Sequence, residues 1–159
     1  MFHSIHYTGT REENYELVIK QLEALISGEP NLIANLANAA ALLHQFLDNI
    51  NWVGFYLAEG EELVLGPFQG LPACVRIPFG KGVCGTAAQN KRTALVPDVH
   101  LFPGHIACDA ASQSEIVVPM LKDGNVIGVL DIDSPNKNRF DEIDQQYLEK
   151  FVDVLVASL

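Results

Sequence analysis

The chain has 159 residues, 48% of them hydrophobic, and a mean hydropathy of +0.14. That is enough for one domain with a real core, and it excludes disorder as the default state. Twenty acidic residues oppose ten basic ones, for a formal charge of −10, which excludes nucleic acid and anionic membrane as main partners because both require a basic face.

No stretch approaches the roughly 18 apolar residues of a membrane span. Met1–Thr10 lacks the basic-then-apolar order of a secretory signal, so the expected compartment is the cytosol. Without repeats or a Gly/Ser/Pro-rich linker, residues 1–159 are read as a single domain.

Leu17, Val18, Leu22, Leu25 and Ile26 form an apolar stripe at helical spacing, ended by Gly28 and Pro30. A second helix is expected from about Asn31 to Asp48, with Leu32, Leu36, Ala39, Leu43 and Phe46 on its buried face. Strand character follows at Trp52–Leu57, a turn at Gly60, and a returning arm at Leu63–Phe68. Val75–Pro78 reads as a short third strand. Gly80, Gly82 and Gly85 surround a turn into a short helix at Thr86–Gln89, and Thr93–Val96 is a brief fourth strand. Pro97–Ser112 has no period and reads as a long loop, the kind that in compact domains is functional or disordered. Ser114–Lys122 and Val126–Ser134 are strong strands around Asp123-Gly124, a hairpin signal. Asp141 caps a last helix that buries Ile143, Tyr147, Leu148, Phe151, Val152 and Leu155. Strands joined by hairpins rather than crossover helices predict an α+β fold: an antiparallel sheet with the terminal helices packed together on one face.

Three constellations carry chemistry. Cys74, Cys84 and Cys108 are separated by 9 and then 23 residues, unlike the C-x2–4-C knuckle of structural zinc. An odd count in a well-cored domain is also unlike a secreted disulfide framework. Each cysteine is either a small buried hydrophobe or a reactive thiol. A thiolate at Cys108 needs a neighbouring cation or backbone N–H groups, and His105 and His100 lie close in sequence. Those imidazoles are otherwise solvated loop residues, or members of a mixed Cys/His metal site with Cys84 and Cys108. Asp131 and Asp133, two apart on a strand, share a face, and Glu115 falls opposite them across the hairpin. These three carboxylates either face solvent or await a cationic partner, since like charges directly opposite destabilise a sheet. Trp52 and Tyr56, four apart, also share a face, as core or as an aromatic wall for a ligand.

The segments Asn51-Trp52-Val53-Gly54-Phe55-Tyr56, Gly66-Pro67-Phe68-Gln69-Gly70, Gly80-Lys81-Gly82-Val83-Cys84-Gly85 and Val129-Leu130-Asp131-Ile132-Asp133-Ser134 closely resemble the free methionine-R-sulfoxide reductases, small enzymes built on a GAF domain. The resemblance runs from about residue 12 to 156 and includes all three family cysteines. It implies a six-stranded antiparallel sheet with helices on its faces and a covered ligand pocket. It also implies a nucleophile at Cys108, a resolving thiol at Cys74 and an auxiliary thiol at Cys84. Glu115, Asp131 and Asp133 would be pocket carboxylates, with Trp52 and Tyr56 as the aromatic wall.

The implied reaction reduces free methionine-(R)-S-oxide through a sulfenic acid and then a disulfide, recycled by thioredoxin. No metal or organic cofactor is implied. Among the carboxylates, Asp133 is expected to donate the proton and Glu115 to bind the substrate ammonium. A homodimer through the terminal helices is compatible with the pattern. The alternative reading is a GAF-type small-ligand sensor without turnover.

Overall fold

A computed structural model describes residues 2–3, 5–106 and 108–159. Helix α1 (Arg11–Ile26) starts where Thr10 accepts from the Glu13 backbone N–H and Glu13 accepts from that of Thr10, a capping box. Helix α2 (Leu32–Phe46) is capped by Asn31. Its buried side is Asn35, Leu36, Ala39, Ala40, Leu42 and Leu43, so Leu32, expected inside, is exposed. That first-turn residue projects before the helix reaches the sheet.

Six strands follow: β1 (Trp52–Glu59), β2 (Glu62–Gly70), β3 (Arg76–Pro78), β4 (Ala94–Val96), β5 (Ser114–Lys122) and β6 (Asn125–Ser134). They form one antiparallel sheet in the order β3-β2-β1-β6-β5-β4. The β5–β6 turn sets Asp123 and Gly124 at φ of 53° and 78°, the conformation for which Asp-Gly is favoured in tight hairpins. Helix α3 (Gly82–Asn90) connects β3 to β4 and is longer than expected, because glycines with poor helix propensity open its first turn. The described residues of the 97–112 connection are irregular apart from a 3-10 turn at Val99–Leu101. Helix α4 (Glu142–Ala157) has its own capping box between Asp141 and Asp144.

Alternation gives the sheet two unlike faces. Val53, Phe55, Ile116, Val118, Met120, Leu130 and Ile132 pack under α1, α2 and α4 in the main core. Trp52, Tyr56, Val117 and Val129 point the other way, toward α3 and the long connections. The expected α+β architecture is therefore present, with the terminal helices on one face. Arg11 of α1 makes a bidentate pair with Asp141, at 2.6 and 2.8 Å, and Tyr15 donates to buried Asp144 at 2.6 Å, tying the first helix to the last. No helix among the described residues is long and apolar enough to cross a membrane.

Candidate active site

Strand register assembles the pocket floor. Trp52 of β1 pairs with Asp133 of β6, which pairs with Glu115 of β5. One step along, Gly54 pairs with Asp131, which pairs with Val117. Cross-strand partners share a face, so the three carboxylates and Trp52 lie together on the side away from the main core. They are not a solvated surface. Glu115 and Asp131 are each only 6% exposed, and Asp133 is half-buried.

The aromatic wall has a second use. Trp52 stacks on Phe68, with ring centroids 5.1 Å apart, and on Tyr56 at 5.9 Å. The indole Nε1 donates to the Leu71 carbonyl at 3.1 Å, and the Tyr56 hydroxyl donates to the Cys74 carbonyl at 2.9 Å. The wall thus pins the β2–β3 connection that carries Cys74. Two glycines make room for it. A Cβ on Gly54 would lie 2.7 Å from Phe68 Cα, and one on Gly70 (φ 147°) would lie 2.5 Å from Trp52 Cδ1.

The opposite rim is the 97–112 connection. Asn51 Nδ2 donates to Asp109 at 3.0 Å and to Ser112 Oγ at 3.2 Å, and Ser112 Oγ donates to Asp133 at 3.0 Å. Two connections distant in sequence meet here: Cys74 and Cys108, 34 positions apart, are joined by a disulfide with Cα atoms 5.8 Å apart. Cys84, on α3, is free and buried, with Sγ 4.0 Å from Glu115 Oε2. His105 also lines the pocket, whereas the mixed Cys/His metal arrangement is not formed with Cys108 in a disulfide. Sequence reasoning missed Asn51 and Ser112. Both sit outside any periodic element, and the one legible signal was Asn51 opening the quoted β1 segment.

The sequence profile of the GAF domain family matches residues 31–159. Protein YtsP of Bacillus subtilis is 60% identical over 161 aligned positions, covering 100% of this chain and 99% of that protein. The free methionine-R-sulfoxide reductase of Escherichia coli is 53% identical, covering 89% of this chain and 86% of that one. The chain belongs to the GAF-domain free methionine-R-sulfoxide reductase family. The crystal structure of the Neisseria meningitidis member in complex with its substrate superposes with a TM-score of 0.93 at 46% identity, over 99% of this chain and 95% of that one.

Electrostatics in this GAF pocket are dominated by burial. Desolvation, then the charges of Asp131 and Asp133, push the Glu115 carboxyl well above the usual carboxylate range. Asp133 is also raised well above its usual value, by burial and then by Asp131, but hydrogen bonds from Glu115 and Ser112 oppose the rise. Burial raises Asp131, and the neighbouring Glu115, Cys84 and Asp133 oppose the rise. Three carboxylates so placed titrate as a unit, and the influences that favour the protonated form are most one-sided at Glu115. Burial, then Asp131 and Glu115, raise the Cys84 thiol well above its ordinary value, so Cys84 is a neutral thiol in this setting. His105 Nε2 lies 3.9 Å from Glu115 Oε1. Burial and then His100 hold His105 below its ordinary value, against Asp131. Both shifts disfavour the charged forms, so they weaken any ion pairing at this contact.

Proposed function

We propose that this chain, residues 1–159 acting as one GAF-like domain, reduces free methionine-(R)-S-oxide to methionine with Cys108 as nucleophile and Cys74 as resolving thiol. The observation that carries the reading is the Cys74–Cys108 disulfide at a pocket floored by three buried or half-buried carboxylates. The relatives named for this reaction support it.

The Cys108 thiolate attacks the electrophilic sulfoxide sulfur. The oxygen passes to Cys108, which becomes a sulfenic acid, and methionine leaves as the sulfide. The Cys74 thiol then attacks that sulfenic sulfur, expelling water and forming the disulfide. Cys108 is exposed, so an external dithiol, in our reading thioredoxin in the cytoplasm, reaches the bond and returns both thiols. Cys84 enters only as an auxiliary thiol in later exchange.

The carboxylates divide two tasks. Glu115 faces His105 on the connection that carries Cys108 and supplies the proton that makes the sulfoxide oxygen a competent leaving group. Asp131 pairs with the substrate ammonium, joined by Asp133, whose ionised form the Ser112 hydrogen bond favours, while Trp52 and Tyr56 flank the substrate side chain. This division differs from the sequence expectation, which gave the proton to Asp133, because the Ser112 hydrogen bond favours the ionised form there.

The test is turnover with dithiothreitol on each epimer of free methionine sulfoxide and on N-acetylmethionine sulfoxide. The R epimer should turn over. Loss of the ammonium removes a charge-assisted contact of roughly 1.5–3 kcal/mol, so the acetylated compound should fall about 10- to 150-fold in kcat/KM. Cys108→Ser should release no methionine. Cys74→Ser should release about one per chain without reductant, since sulfenic acid formation precedes resolution. Equal efficiency on free and acetylated substrates would end the ammonium account, and turnover by Cys108→Ser would end the nucleophile assignment.

A further inference from the structure

Cys84 has no part in the disulfide, yet it sits with its sulfur in the carboxylate cluster. The Cys84 Sγ and one oxygen each of Glu115 and Asp131 all lie within 4.8 Å of one another, and all three residues are buried. Zinc–sulfur bonds of about 2.3 Å and zinc–oxygen bonds of about 2.0–2.2 Å put tetrahedral donors about 3.4–3.6 Å apart. The Cys84 Sγ to Glu115 Oε2 distance of 4.0 Å therefore needs only a small inward movement. A second observation points to a missing cation: Asp131 Oδ1 is buried and accepts no hydrogen bond. A buried carboxylate oxygen without a partner is costly unless a cation meets it. The cavity that these residues line is about 40 Å³, room for an ion with a water or two at roughly 10–15 Å³ per water.

We propose that the pocket floor binds one thiophilic divalent cation of the zinc class through Cys84, Glu115 and Asp131. The fourth position is left to water or to His105, whose Nε2 is 3.9 Å from Glu115 Oε1. A thiolate in the donor set selects zinc or cadmium over magnesium or calcium, which require oxygen cages. As the metal bonds form, the Cys84 thiol and the Glu115 carboxyl release their protons to solvent, and no electrons move. The cation occupies the carboxylates that the proposed reduction assigns to the substrate and the proton, so it would inhibit that reaction by exclusion. Binding itself rests on the geometry alone.

The experiment uses the oxidised wild-type chain, in which Cys84 is the one free thiol. Cadmium chloride is titrated in while the ultraviolet sulfur-to-cadmium charge-transfer band is followed, and zinc chloride is titrated in a calorimeter. The expected result is one equivalent of each ion, with the band saturating at that point. Cys84→Ala should abolish the band. Asp131→Asn should keep it but weaken binding by more than about tenfold, the lower end of what even a ligand's supporting partner contributes. No band in the wild type, or zinc affinity unchanged in Cys84→Ala, overturns the proposal and assigns any binding to surface groups. The wild-type titration decides even if a variant fails to fold. Because no turnover is measured, failure of this site and failure of the reductase reading are separately visible.

Discussion

Glu115 lies directly across from Asp133 and diagonal to Asp131, beside a thiol and within reach of an imidazole, so its charge state bears on the stability of the pocket and on the proposed chemistry. Its folded-state pKa is raised. Its contribution to stability is therefore full below the unfolded value and is lost as pH rises through the folded one. Glu115→Gln keeps the shape and donates to the same neighbours without that loss. Melting curves at pH 5 and pH 8 should show the variant gaining on wild type as the pH rises, with the larger gap in its favour at pH 8. The same change should slow single-turnover methionine release about 10²–10⁴-fold, whereas Asp133→Asn should chiefly raise KM; the reverse pattern would return the proton to Asp133. The grouping of these carboxylates is legible in sequence, because strand alternation and a hairpin count are enough to bring them together. Their burial is not, since it depends on α3 and on the 97–112 connection closing over the floor.

Strand β1 shows how one element serves both sides of the sheet. Val53 and Phe55 enter the main core, while Trp52 and Tyr56 build the wall, and Gly54 between them keeps the space that Phe68 fills. Gly54→Ala should destabilise the fold by about 1–3 kcal/mol through overpacking and raise KM by pushing Phe68 off Trp52. Urea unfolding and steady-state kinetics check the two effects, and a neutral Gly54→Ala would mean that the Phe68 contact relaxes freely. Hairpins and amphipathic helices are plain in the sequence because their periods are local. The irregular register between Gly54 and Tyr56 is invisible there. So is the Tyr56–Cys74 hydrogen bond, which joins a strand to a connection with no period. The pairing of Arg11 with Asp141, 130 positions away, likewise has no local signal.

At the level of the whole molecule, the disulfide closes a loop of 34 positions, which restricts the unfolded chain by about 3–4 kcal/mol in the chain-entropy account. Dithiothreitol should therefore lower the melting temperature by several degrees, and Cys74→Ser should be insensitive to it; equal melting of the oxidised and reduced forms would show that native-state strain cancels the constraint. The sheet order places β1, β6 and β5 side by side, so the groups that would grip a ligand stand on rigid, mutually bonded strands. The two sulfurs of the disulfide ride on connections outside that frame. Under the proposed reduction, grip and reactivity are therefore heritable separately. One codon change at Cys108 should silence turnover while the strand register that forms the floor stays as it is, leaving a receptor for the same small molecule. Conversely, a receptor on this scaffold lies two loop cysteines away from an enzyme. Such a division of labour lets binding and turnover be gained or lost one at a time.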